Sequence, residues 1–154
     1  MIDFESLWQN HPPNGEPPEL EPCKDSKGVS HFENQCAIRM SVCLVRSGVR
    51  LDSFRGAFCW FGHHREHALR AEELAQWLHS PLADFVPGAD IAKASAGPIS
   101  SSQYAGRRGI VLFRNFWGTG RQGDHIDLWD GEQMSHGSSD YFERSQEVWF
   151  WELE

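Results

Sequence analysis

Cys36 is the side chain of this sequence best placed to act as a nucleophile. Asn34 is a strong helix N-cap, and the stretch from Gln35 to Val45 runs on without Gly or Pro until Gly48. A helix is therefore expected to begin near Asn34, with Cys36 about two residues inside it. The unpaired N–H groups and the positive end of the helix dipole favour an anion there, which stabilises a thiolate. The same N–H groups can help hold the oxyanion formed by attack on a carbonyl. Against this stands the commoner fate of a cysteine, burial as a small apolar side chain. Cys43 lies two turns deeper in the same helix, where the dipole has faded, and reads as core; Cys59, between Phe58 and Trp60, reads as packing.

A thiol nucleophile needs a base. His125 opens the alternating run His125-Ile126-Asp127-Leu128-Trp129, which reads as a strand. Asp127 then shares a face with His125, while Ile126 and Leu128 take the other. That polar face could lie against the helix carrying Cys36, with a third polar group fixing the imidazole tautomer. Without Cys36, the same run is an ordinary strand with a solvated face. A second group, Cys59, His63, His64 and His67, offers ligand types that suit zinc. Its spacing matches no usual site and the chain has no C-x-x-C, so these histidines read as solvated, and neither a metal nor a cofactor is expected.

The elements that must position these residues follow from periodicity. Ile38, Val42 and Val45, with Met40, Cys43 and Leu44, make the Cys36 helix apolar on most of its surface, so it reads as central and buried. A second helix is expected from about His67 to His79, stopped by Pro81. Between His11 and Pro22, five prolines exclude a long helix or a central strand and suggest an extended surface arm that packs across the fold. Ile110-Val111-Leu112-Phe113 reads as a buried strand, Gly118, Gly120 and Gly123 as a loop, Asp130-Gly131 as a hairpin turn, and Val148-Trp149-Phe150-Trp151 as a closing strand. Helices first and strands afterwards favour an α+β fold with an antiparallel sheet. A length of 154 residues, with seven Trp and ten Phe to fill a core, suits a single domain over 1–154.

Composition excludes several partners. The net charge is −8 and the longest basic run is Arg107-Arg108, so duplex nucleic acid and anionic membranes are poor partners. The 23% of charged residues and a mean hydropathy of −0.52 are those of a soluble globular protein. No stretch approaches the roughly 20 apolar residues of a spanning helix. The acidic start Met1-Ile2-Asp3-Phe4-Glu5 is unlike a secretory leader, so export is expected to use a route that reads none. Four cysteines are too few for a disulfide framework, although an oxidising compartment permits one bridge.

Asn34-Gln35-Cys36-Ala37-Ile38-Arg39-Met40-Ser41 together with Gly123-Asp124-His125-Ile126-Asp127-Leu128-Trp129 resembles the type VI secretion amidase effectors of group four. The segments His67 to Leu78 and Gly109 to Trp117 agree in the same order. The resemblance implies a papain-like, NlpC-type fold in which a helix bearing the Cys packs on an antiparallel β-sheet bearing the His. It implies an antibacterial toxin, a cysteine peptidase that hydrolyses the γ-D-glutamyl–meso-diaminopimelate amide of peptidoglycan stem peptides. The implied partners are the secretion apparatus and a cognate immunity protein, and the implied place of action is the periplasm of a target bacterium. Cys36 would be the nucleophile and His125 the general base. The family orients its His with a downstream Asp, but the position that matches by count is His136; Asp127 or Asp140 could serve instead.

Two other functions suit the same residues. A cysteine transferase, or transpeptidase-like module, would resolve the thioester with an amine. A wall-binding or immunity-type module would use Cys36 only as core.

Overall fold

A computed structural model describes residues 1–115 and 123–154. Among the described residues, four α-helices, α1 (Phe4–Asn10), α2 (Cys36–Arg46), α3 (Ala71–His79) and α4 (Tyr141–Arg144), accompany four strands, β1 (Asp90–Lys93), β2 (Gly109–Arg114), β3 (His125–Trp129) and β4 (Glu147–Glu152). The strands form one antiparallel sheet in the order β1-β4-β2-β3. The α+β class and the antiparallel sheet expected from the element order are present.

Strand register sorts the side chains into two layers. Ile110 pairs with Leu128 and Leu112 with Ile126, so these four share a face. That face packs on Met40, Cys43 and Leu44 of α2 and on Leu74 and Leu78 of α3. Val111 pairs with Asp127 and Phe113 with His125 on the opposite face. There Phe113, Trp129 and Phe150 gather around Phe142 of α4 and Tyr104. Each fully buried Leu, Ile or Phe contributes roughly 1.5–3 kcal/mol, so a sheet covered on both faces is held firmly.

Several boundaries differ from the sequence reading. The helix expected near Asn34 starts at Cys36, because Asn34 Oδ1 accepts the Cys36 N–H at 3.1 Å and so caps from outside. The helix expected from His67 starts at Ala71. Residues before it are extended: Cys59 N–H donates to His67 O and Leu69 N–H to Ala57 O, so backbone pairing with the Phe58 segment outcompetes the helix. Helix α1, capped by Asp3 accepting from Ser6 N–H, and the short, partly exposed β1 lacked a readable pattern. The proline arm is short 3₁₀ turn at Pro12–Asn14 and otherwise irregular; Pro12 and Pro13 are buried rather than on the surface. The Asp130-Gly131 turn is present, with Gly131 at φ 99° and Trp129 bridging Met134. Gly118 and Gly120 of the expected loop lie outside the described residues. Among the described residues no helix is long and apolar enough to cross a membrane.

Candidate active site

Cys36 is the first residue of α2 and is 3% exposed. Its neighbours on the sheet side belong to the edge strand β3. The sulfur lies 3.8 Å from Asp124 O, accepts the Ile126 N–H and hydrogen-bonds the His125 imidazole. An edge strand has backbone N–H groups free of a ladder partner, and the one at Ile126 is turned to hold an anion on Cys36. This corrects the expected layout. The polar face of β3 does not lie beneath α2; α2 packs on the Ile126 and Leu128 side. Cys36 meets His125 at the margin of the sheet, where the helix begins and the strand begins.

His125 is held on several sides. Its Nε2 is 2.8 Å from Asp127 Oδ2, its ring stacks on Phe113, and Tyr141 stands edge-on at 5.4 Å. With Nε2 engaged, Nδ1 is the nitrogen left for the thiol. Asp127 is 1% exposed and is itself satisfied by Leu128 N–H at 2.8 Å and by His136 N–H at 3.1 Å. A carboxylate so held orients an imidazole and stabilises its cationic form. Of the three candidates, Asp127 is the one whose carboxylate lies at hydrogen-bond distance from the imidazole. His136 contributes its backbone N–H, while its side chain is exposed; Asp140 is exposed and pairs with Arg144. A two-residue step along a strand puts Asp127 on the face of His125, a signal present in the sequence that did not by itself choose among the three.

Electrostatics follow from this packing. Burial opposes the charged form of Cys36, but the hydrogen bond and charge of His125, the Ile126 N–H and Arg39 outweigh it and bring the thiol below its usual value. Burial likewise opposes the imidazolium, yet Asp127 and Cys36 together hold His125 up to about 10. Asp127 remains ionised despite burial, chiefly through His125. Both shifts favour the thiolate on Cys36 and the imidazolium on His125. Among the N–H groups expected to be open at the helix start, that of Cys36 is occupied by Asn34 Oδ1.

Sequence reasoning missed three supporting residues. Arg39, one turn below Cys36, is 8% exposed, with Nη1 donating to Leu20 O at 2.8 Å. Gln35 is buried and ties its side chain to the backbone of Cys23 through two hydrogen bonds. Gly137 sits against the His–Asp pair: a Cβ there would lie 3.2 Å from His125 Nε2 and 3.3 Å from Asp127 Oδ2. An extended chain and a turn bring these together, and no local pattern announces them.

Two clefts flank the reacting groups. One, of about 720 Å³, is lined by Asn34, Gln35, Arg39, His125, His136 and Tyr141 among others; the second, about 340 Å³, by Asn34, Cys36, Arg70, Glu72, Glu73 and Asp124. A substrate can extend to both sides of Cys36. Of the remaining thiols, Cys43 is fully buried and donates to Leu7 O at 3.1 Å, with burial pushing its pKa up; it is core, as expected. All four cysteines are free. Cys59 is not merely packing, because it meets His63 and His67, joined by Cys23 and not by His64.

A helix N-terminal thiol, a strand-borne imidazole and a buried carboxylate on an antiparallel sheet define the papain-like, NlpC-type class of cysteine hydrolases. Residues 32–151 match the family model described as type VI secretion system amidase effector protein 4, and the chain belongs to that family. Its members are peptidoglycan amidases delivered by type VI secretion, as the sequence resemblance implied. The fold is similar to that of the effector Tae4 from Enterobacter cloacae, at 22% identity, TM-score 0.68, over 100% of this chain and 98% of that one. It is also similar to a chain of the Tae4–Tai4 effector–immunity complex from Salmonella Typhimurium, at 20% identity and TM-score 0.68 over 100% and 99%. A chain of the corresponding Enterobacter cloacae complex is 22% identical, with TM-score 0.67 over 100% and 99%. No curated protein matches the sequence.

Proposed function

We propose that residues 1–154 act as one catalytic unit that hydrolyses the γ-D-glutamyl–meso-diaminopimelate amide of peptidoglycan stems, with Cys36 as nucleophile, His125 as acid and base, and Asp127 as the residue that positions His125. The observation that carries the reading is the Nε2–Oδ2 contact of 2.8 Å on the far side of an imidazole that also bonds the Cys36 thiol. The thiolate attacks the γ-carbonyl carbon, and the C=O pair moves to oxygen. That oxygen displaces Asn34 Oδ1 from the Cys36 N–H. His125 gives its proton to the diaminopimelate nitrogen, the C–N bond breaks and a thioester remains. Water then loses a proton to His125 and adds to the thioester. The C–S bond breaks, the γ-carboxylate leaves and the thiolate–imidazolium pair is restored.

The chain would act in the periplasm of a target cell, where its peptidoglycan substrate lies. The immunity partner in the two solved complexes supports a cognate immunity protein that binds this chain in the producer.

The test is digestion of diaminopimelate-type sacculi by wild type and Cys36→Ala, with fragments identified by liquid chromatography and mass spectrometry. Disaccharide-dipeptides ending in D-Glu are expected from wild type only. Equal release by Cys36→Ala would remove Cys36 from the mechanism, and intact sacculi with both proteins would remove the substrate assignment. Products joined to an added amine would point to transfer rather than hydrolysis.

A further inference from the structure

Away from Cys36 and His125, two thiols and two imidazoles converge. Cys23 comes from the extended arm, while Cys59, His63 and His67 come from the irregular segment before α3. One ligand atom of each lies within 4.8 Å of all the others. Cys23 Sγ is 3.6 Å from His63 Nδ1, and Cys59 Sγ is 2.9 Å from His63 Nδ1 and 3.8 Å from His67 Nδ1. Bonds of about 2.0–2.3 Å to a tetrahedral zinc ion set ligand–ligand separations of roughly 3.3–3.8 Å. The 3.6 and 3.8 Å separations match that range, and the 2.9 Å contact opens by less than an ångström to admit the ion.

We propose that Cys23, Cys59, His63 and His67 form a structural Cys₂His₂ zinc site that pins the N-terminal arm to the segment before α3. Simple thiol–imidazole pairing accounts for the arrangement less well. Paired hydrogen bonds would match each thiol to one imidazole, whereas here both imidazoles turn Nδ1 toward Cys59, and His63 also turns it toward Cys23. The two rings are packed with centroids 4.2 Å apart. The chain passes through Gly62, His64 and Arg65, all at positive φ, to bring His63 and His67 to one side. Such conformations cost energy in non-glycine residues and persist here while serving the convergence. Two soft thiolates with two imidazoles select zinc over the hard cations. Four protein ligands leave no open position, so the role is structural and not catalytic.

The consequence reaches the active site. Gln35 holds the Cys23 backbone by two hydrogen bonds and immediately precedes Cys36. Metal at Cys23 would therefore stiffen one wall of the 720 Å³ cleft, which Gln35 lines. The assignment goes beyond the amidase reading and does not depend on it.

The test uses the full chain, produced in zinc-supplemented medium and purified under reducing conditions without chelator or metal-affinity resin. Zinc is counted by elemental analysis and by native mass spectrometry. Wild type and Cys36→Ala are expected to hold one zinc per chain, and Cys59→Ser and His63→Ala about a tenth of that or less. Cys59 and His63 are both only half-buried, so neither substitution opens a cavity in the core. Cobalt replacing zinc in wild type is expected to show thiolate-to-metal charge transfer with the intense visible bands of a tetrahedral site. Wild type with zinc below about a tenth of an equivalent would overturn the site. So would a Cys23–Cys59 disulfide in place of metal, or zinc lost in Cys36→Ala but kept in His63→Ala, which would put the ion on the reactive thiol.

Discussion

At His125, burial and two hydrogen bonds pull in opposite directions, and the bonds win. The imidazole is held up to about 10 because Asp127 on one nitrogen and Cys36 on the other both favour the cation. Removing the Asp127 charge should undo this first. Asp127→Asn is expected to lower kcat by about a thousandfold to ten-thousandfold, as loss of the orienting carboxylate does in related triads. It should also raise the pH at which the Cys36 thiol becomes reactive toward iodoacetamide, since a neutral imidazole no longer stabilises the thiolate. A merely structural Asp127 would not move that alkylation profile. His136→Ala, which keeps the backbone N–H on Asp127, and Asp140→Ala, which removes only an exposed ion pair, should leave both readouts close to wild type. A large loss in His136→Ala with no loss in Asp127→Asn would reverse the roles of the two residues.

Among the elements, the start of α2 and the start of β3 create the site, and the turn after β3 closes it. That turn carries Gly137 against the imidazole–carboxylate pair. A methyl group 3.2 Å from His125 Nε2 and also 3.0 Å from a Tyr141 ring carbon requires the neighbours to shift by a few tenths of an ångström. Gly137→Ala is therefore expected to reduce kcat by about tenfold to a hundredfold, because small misplacements of reacting groups are costly. Gly137 is exposed, so the thermal midpoint should barely change. Activity equal to wild type would mean that the turn relaxes freely and does not constrain His125.

For the molecule as a whole, the N-terminal segment couples stability to pH. His11 is buried between α1 and the 3₁₀ turn, with Nδ1 2.6 Å from Ser135 Oγ, and burial lowers its pKa from 6.5 to about 4. The unfolded chain binds this proton at about 6.5 and the folded chain only at about 4. Stability from a neutral His11 is thus complete above about 6.5 and is lost as pH falls toward about 4, by about 3 kcal/mol in all. Urea unfolding of His11→Asn across that window should show a flatter dependence than wild type. Parallel curves would mean that His11 is protonated in the folded protein or that other groups dominate the acid loss.

Local pattern in the sequence was enough to place Cys36 and His125 on their elements. The N-cap followed by an unbroken apolar run marked α2 with Cys36 at its start, and period-2 alternation marked β3 with Asp127 beside His125 on one face. Local rules suffice there because helix capping and strand pleating act over a few residues. The start of α3 was misplaced for the complementary reason: His67 and Leu69 find backbone partners in the Phe58 segment, and such pairing depends on chain brought from elsewhere. The third member of the site stayed open in the sequence because counting along a chain does not reveal which carboxylate reaches Nε2. Tertiary structure decided that Asp127 does so at 2.8 Å, and that His136 offers only its backbone. It also joined Cys23 to Cys59, His63 and His67 across an interval no spacing rule covers. Hydrogen-bond and ligand geometry is fixed in space to within tenths of an ångström, and only packing of distant segments against one another sets distances on that scale.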